Sequence, residues 1–258
     1  MFNEELNKVS LAAKSKFQLL KENKIGYFIS SMLAGIYVGL GIMLIFTIGG
    51  LLTSASSPAT KIVMGLSFGV ALSLVVFAGS ELFTGNNFVM AVGSLNKSVT
   101  WGEAGKVWIV SFIGNLVGSI LAATLFYMAG LATGPVGEFI AKTSEAKMSM
   151  PATELFFRGI LCNMLVCLAV WCIFRCKEES SKLIMIFWCL FVFITAGFEH
   201  SVANMTLLTI GLLSPLGHAV SVSGYAYNIL IVSLGNMVGG ILFIAVPYFI
   251  ISRKKKVG

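Results

Sequence analysis

Two eight-residue stretches, Gly79–Asn86 and Gly197–Asn204, share one pattern: glycine, any residue, glutamate, and asparagine at the eighth position. Each falls near the middle of a long apolar segment, where a membrane helix would be continuous. In hydrocarbon every backbone N–H and C=O has to be satisfied by the protein, so a helix breaks at mid-depth only where the broken backbone is buried or lines a cavity. Paired breaks in corresponding halves of a chain point to a path for a solute.

Hydrophobic residues make up 57% of the 258-residue chain and charged residues only 11%. That balance excludes a water-soluble globule and leaves an integral membrane protein. Apolar runs of spanning length lie at about 25–52, 61–95, 105–131, 153–175, 182–213 and 224–251, so six crossings are expected, the second and fifth interrupted. Residues 1–24 are polar and carry five lysines; they read as an amphipathic cytoplasmic helix and not as a secretory leader. Of the 18 lysines and arginines, 14 fall in the N-terminal segment, the second and fourth loops and the C-terminal tail, 3 in the other loops, and Arg158 inside the fourth span. The positive-inside rule then puts both termini in the cytoplasm.

Three regions follow: the helix at 1–24, a six-span transmembrane domain at 25–252, and a basic tail at 253–258. The Arg253-Lys254-Lys255-Lys256 run, directly after a span, reads as a lipid anchor and not as a nucleic-acid contact. Cys162, Cys167, Cys172, Cys176 and Cys189 show no C-x-x-C spacing. Neither a disulfide framework nor a metal site is expected from them, and they read as small packing residues.

The chain also repeats itself. Ile113-Gly114-Asn115-Leu116-Val117-Gly118-Ser119-Ile120-Leu121 in the third span matches Leu234-Gly235-Asn236-Met237-Val238-Gly239-Gly240-Ile241-Leu242 in the sixth at six of nine positions. With the paired breaks, this makes residues 25–131 and 153–251 two related three-span halves, inverted because each holds an odd number of crossings. The expected fold is therefore an all-α membrane protein of six transmembrane helices in two inverted three-helix repeats, with the second and fifth helices broken and meeting near mid-depth. Glycines four apart at Gly35/Gly39, Gly65/Gly69, Gly114/Gly118 and Gly235/Gly239 are expected where helix backbones pack closely.

After each break a half-helix is expected, over about Phe88–Gly93 and Met205–Leu213, with its N-terminus inside the membrane. Two such ends aimed at one cavity favour an anion, because each carries about half a positive charge. Asn86, Asn87 and Asn204 are candidate N-caps, and Thr84 and Ser201 offer hydroxyl donors. A carboxylate on that path would repel anions, so Glu81 and Glu199 are expected off it, each accepting the N–H groups freed by its own broken helix. His200, the only histidine in an apolar span, reads as functional: protonated, it would hold a monovalent anion and, by giving up that proton, pass it on as the neutral acid. Its bland alternative is a neutral ring hydrogen-bonded to Thr84. Lys147 stands where a cation would draw anions toward a vestibule, or is a plain loop lysine; Arg158 reads as structural and His218 as surface.

The chain resembles the formate/nitrite transporter family of bacterial anion channels over nearly all of residues 1–253. The residues that carry the likeness are Glu81-Leu82-Phe83-Thr84, Phe198-Glu199-His200-Ser201-Val202-Ala203-Asn204-Met205, Thr100-Trp101-Gly102, and Gly159-Ile160-Leu161-Cys162-Asn163 through Trp171. Within it, the hydrosulfide-channel branch looks most similar. The resemblance implies a homopentamer of aquaporin-like protomers in the bacterial inner membrane, each with its own pore, and no cofactor. It implies pore and substrate-binding roles for His200, Thr84, Asn204 and Lys147, and apolar constrictions at Phe68, Leu72, Leu82, Val166 and Phe193. Gly85-Asn86-Asn87 replaces the Ser/Thr-rich continuation of the formate members, which weakens the expectation of formate preference.

The expected activity is passage of small monovalent anions of weak acids, hydrosulfide first and formate or nitrite as alternatives. An ammonia or neutral-solute channel is the remote alternative, disfavoured because such pores use paired histidines. A membrane enzyme is disfavoured because no metal cluster, nucleotide loop or nucleophile motif occurs.

Overall fold

Glycines mark the two breaks because the backbone there turns left-handed: Gly79 has φ 78° and Gly197 φ 77°, a region an L-side chain enters only with strain. A computed structural model describes residues 2–252, and the chain within them is helical apart from short connections. The first half comprises α1 (Asn3–Glu22), α2 (Lys24–Ser54), α3 (Thr60–Ser67), α4 (Gly69–Phe77), α5 (Phe83–Leu95) and α6 (Trp101–Met128). The second comprises α7 (Gly134–Ser149), α8 (Ala152–Arg175), α9 (Glu179–Ala196), α10 (Ser201–Leu213), α11 (Val222–Gly240), a π-helical turn (Ile241–Ala245) and α12 (Val246–Ser252). Six helical stretches are long and apolar enough to span: α2, Thr60–Gly79, α6, α8, α9 and Val222–Ser252. With six spans, the two ends of the described chain lie on one face, the terminal face; the other is the distal face. The basic tail at 253–258 lies outside the described residues.

Polar residues start the helices where the chain leaves the apolar runs. Thr100 and Glu103 form a reciprocal capping box at α6, and the side chains of Asn23 and Ser221 accept the N–H groups of Gly26 and Gly224. Packing is paired: α2 lies along α6, and α8 along α11. A Cβ on Gly118 would sit 1.9 Å from the Met32 carbonyl oxygen, and one on Gly239 2.3 Å from that of Ile160. Both pairs of spans touch backbone to backbone, as the glycine spacing predicts.

Three expectations need correction. The half-helices begin at Phe83 and Ser201, not at Phe88 and Met205, so the breaks are only the five residues 78–82 and the four residues 197–200. Asn86, Asn87 and Asn204 are consequently inside α5 and α10 and do not cap them. The stretch 131–152 is no plain loop, since α7 fills most of it and occupies in the second half the place that α1 holds in the first: α1 packs on α5 and α7 on α10. The repeated unit is therefore an amphipathic helix plus three spans.

Candidate permeation pathway

A helix that starts inside a membrane exposes its first N–H groups, and here asparagines from other spans accept two of them. Asn115 Oδ1 of α6 accepts Phe83 N–H at 2.9 Å while its Nδ2 donates to the carbonyls of Ser31 (2.7 Å) and Glu81 (2.9 Å). Asn236 of α11 repeats this arrangement: Oδ1 accepts Ser201 N–H at 2.9 Å, and Nδ2 donates to the carbonyls of Gly159 (2.8 Å) and Glu199 (2.9 Å). These two asparagines are the most conspicuous functional residues that sequence reasoning passed over. Their place in the repeated Gly-Asn-x-x-Gly stretch was the available signal. The second helix has one more cap, since His200 Nδ1 accepts the N–H of Ala203 at 3.1 Å. The N–H groups of Thr84, Gly85 and Val202 keep no acceptor among the described residues.

The glutamates also behave as a pair, but not by accepting freed N–H groups as expected. Glu81 takes Lys16 Nζ of α1 on both oxygens at 2.8 Å, together with Tyr27 Oη at 3.0 Å and Asn86 Nδ2 at 3.1 Å. Glu199 takes Lys147 Nζ of α7 at 2.5 Å and Asn204 Nδ2 at 2.6 Å. Asn204 donates further to Asn228 Oδ1 at 2.9 Å. Each carboxylate is thus neutralised by a lysine from the amphipathic helix of its own half. Lys147 is helical and engaged rather than a free loop cation.

Between these clusters lie three cavities that share lining residues. A distal vestibule of about 270 Å³ is lined by Lys61, Lys147, Glu199, His200, Asn204 and Phe193 among others. A terminal vestibule of about 380 Å³ is lined by Lys16, Glu81, Leu82, Gly85, Asn86 and Leu72 among others. The glutamates therefore face the vestibules, against the expectation that they lie off the path, although their charge is compensated there. Between the two is an apolar void of about 10 Å³, which Phe68, Leu72, Leu82, Val166, Phe193 and His200 all line. That is about the space one water molecule needs. Phe193 and His200 are shared with the distal vestibule, Leu72 and Leu82 with the terminal one. Thr84 is fully buried and lines none of the three cavities, but its Oγ1 lies 2.9 Å from Nε2 of the neck residue His200. Because Nδ1 accepts a backbone N–H, the ring is the neutral Nε2–H form, and Nε2–H donates to the threonine hydroxyl.

Other residues singled out in the sequence lie elsewhere. Arg158 pairs locally with Glu154 at 3.0 Å on the exposed side of α8. His218, in the distal loop before α11, is clamped between Glu145 Oε2 (2.8 Å) and Glu138 Oε1 (2.9 Å) of α7. Hydrogen bonding to Glu145, then to Glu138, holds its pKa above the usual histidine value, and the same bond from His218 holds Glu145 below the usual carboxylate value. The five cysteines are free thiols, with Cys162, Cys167 and Cys189 buried. Cys167 Sγ and Asn163 Nδ2 both contact the Thr84 carbonyl, at 3.5 Å and 3.2 Å, so the backbone beneath the neck is tied to α8.

Residues 3–250 match the family described as formate/nitrite transporter. The nitrite transporter NirC of Salmonella typhimurium is 41% identical over 257 residues, covering 99% of this chain and 94% of the relative. Among solved structures, an FNT family ion channel superposes with a TM-score of 0.92 at 39% identity, over 98% of this chain and 100% of the other. A pentameric formate channel with formate bound gives 0.76 at 26% identity, over 89% and 97%. The repeated broken spans, the neck between two vestibules and these likenesses lead to one conclusion: the chain belongs to the formate/nitrite transporter family.

Proposed function

We propose that each chain conducts small monovalent anions of weak acids through its own interior, nitrite and formate first, and that it works as a homopentamer in a bacterial cytoplasmic membrane with the terminal face inside. The observation that carries this reading is the apolar neck closing off two vestibules whose carboxylates are neutralised. Taking a bare ion into such a neck costs on the order of 20 kcal/mol by idealised transfer to low dielectric, whereas the neutral conjugate acid of a weak-acid anion escapes that cost. Greasy constrictions therefore select solutes that can shed charge for the crossing. Names of the relatives supply nitrite and formate, and the pentameric neighbour supplies the assembly. The excess of lysine and arginine on the terminal side supplies the orientation.

His200 then acts as a hydrogen-bond donor and not as a proton relay. Its neutral ring holds its proton on Nε2, and giving that proton away would leave an imidazolate; protonating Nδ1 would break its bond from Ala203 N–H. The proton that accompanies the anion is drawn from the bulk proton pool through vestibule water and returns to that pool on the far side as the acid ionises, while His200, held by the Thr84 hydroxyl, orients the solute at the neck. Hydrosulfide is kept as a second reading on one observation: Gly85 lines the terminal vestibule, and a Cβ there would meet only Val170, at 3.5 Å, so the first turn of α5 leaves room for a different small anion.

The test is a series of sulfide, formate, nitrite and chloride fluxes into proteoliposomes at two pH values, with the wild type, Thr84→Val and His200→Asn. Weak-acid anions should pass and chloride should not, with Thr84→Val and His200→Asn about tenfold slower, as for loss of one aimed donor or acceptor, and with the pH profile unchanged in shape. A profile that loses its acid limb in His200→Asn makes the ring a relay after all. Chloride passing as fast as formate overturns the neutral-passage reading.

A further inference from the structure

The two vestibules share a pseudo-symmetric lysine–glutamate pair but differ by one charge. Distal lining residues include Lys61, Lys147 and Glu199, two cations against one anion. Terminal lining residues include Lys16 and Glu81, one against one. Lys147 is consumed by Glu199 and Lys16 by Glu81. Lys61, in the first turn of α3, has no hydrogen-bond or ion-pair partner among the described residues and is exposed. The remaining charges of α7, Glu138, Lys142 and Glu145, do not line the vestibule, and the two glutamates are held by His218.

We infer that Lys61, and not Lys147, is the residue that concentrates anions at the distal mouth, and that this gives the pore a sidedness its repeated architecture lacks. The inference rests on the anion-channel reading above. A free ammonium some 8 Å from a hydrated anion raises its local concentration about twofold in bulk-water dielectric, and low-dielectric vestibule walls focus the field further, so a two- to fivefold effect is expected. Because passage down a gradient obeys detailed balance, Lys61 cannot make the channel a one-way valve. Without a membrane potential, the ratio of maximal rate to half-saturating concentration stays equal from the two faces. What changes is how that ratio divides: the distal face saturates at lower anion concentration with a proportionally lower maximal rate, which suits capture of a scarce anion from the distal side and rapid discharge of an abundant one from the terminal side.

The experiment uses full-length protein in right-side-out and inverted membrane vesicles, with radiolabelled formate as the probe at zero potential and low ionic strength. Wild type should half-saturate at two- to fivefold lower formate from the distal face. In Lys61→Gln that distal value should rise to meet the terminal one, the distal maximal rate rising with it, while Lys61→Arg keeps the asymmetry. Salt near 0.5 M, where screening acts within about 4 Å, should abolish the asymmetry in the wild type. A distal half-saturation that Lys61→Gln leaves unchanged, or a Lys61→Gln maximal rate that falls from both faces, overturns the assignment to Lys61. Absence of formate uptake by the wild type in both orientations would instead sink the anion-channel reading for formate and leave Lys61 without a role.

Discussion

Glu81 and Glu199 show how a single charge is made tolerable inside a membrane domain. Each meets a lysine that comes from an amphipathic helix 65 or 52 residues away in the chain, and each takes a further amide donor from its own half-helix. The Lys147–Glu199 side chains are only 17% and 3% exposed, so removing one partner strands the other out of water. That kind of loss costs about 3 to 5 kcal/mol, whereas replacing both with apolar groups is often near neutral. We expect Glu199→Gln to destabilise the folded protein by about 3 kcal/mol, and Lys147→Met with Glu199→Gln to recover most of it, read by thermal unfolding in detergent. Equal destabilisation by the single and the double substitution would mean the pair contributes nothing beyond Glu199 itself. That the glutamates sit at the breaks was legible from the repeated Gly-x-Glu pattern; that they face the vestibules and are neutralised by lysines was not, because Lys16 and Lys147 lie far off in sequence on helices of ordinary polar composition.

At the level of elements, the six spans and the two breaks could be read directly, since apolar length and interruption are local properties of the chain. What could not be read was where the half-helices restart. Phe83-Thr84-Gly85-Asn86-Asn87 looks like broken backbone by its own composition, yet Asn115 from another span supplies the missing acceptor and the helix begins there. The helix α7 escaped for a related reason: Gly134–Ser149 is a mixed polar segment whose buried stripe, with Ile140, Ala141, Ser144 and Met148, is apparent only against α10. Its outer face carries the His218 clamp, whose pH dependence follows from the two shifted groups. His218 is raised from its ordinary value near 6.5, so its share is fully present below that pH and is lost as pH rises through the higher folded value. Glu145 is lowered from 4.5, so its share is present above that pH and is lost as pH falls through the lower folded value. The loop at 214–221 should hold tightest to α7 between roughly pH 5 and 6.5 and loosen toward pH 9. Faster hydrogen exchange of Ala219 N–H, which donates to Glu145 at 3.0 Å, would report this after correction for intrinsic pH dependence. His218→Gln should abolish the change.

For the whole molecule, the decisive point is that the neck is enclosed between the two halves of the chain: Phe68, Leu72, Leu82, Val166, Phe193 and His200 are all buried there. The inverted repeat explains why: the half-helices come from the two halves of the same sequence, each capped by an asparagine from a span of its own half, and they meet at the Thr84–His200 contact without help from a second copy. On the function proposed above, each chain then builds its own path, and in a pentamer the five paths should act independently. This is testable by co-assembly with a blocked protomer. Leu72→Trp places a bulkier ring in a void with room for about one water, and it should stop flux in a homogeneous assembly that still runs as a pentamer on sizing. When wild-type and Leu72→Trp chains are mixed before assembly, flux per pentamer should fall in direct proportion to the wild-type fraction, because each intact chain conducts whatever its neighbours do. A path shared along the fivefold axis would give a different curve, near the fifth power of that fraction, with flux almost gone at equal mixing. The two curves separate most at half substitution, where independent paths retain about half the flux, and that single mixture distinguishes a pore built within the chain from one built between chains.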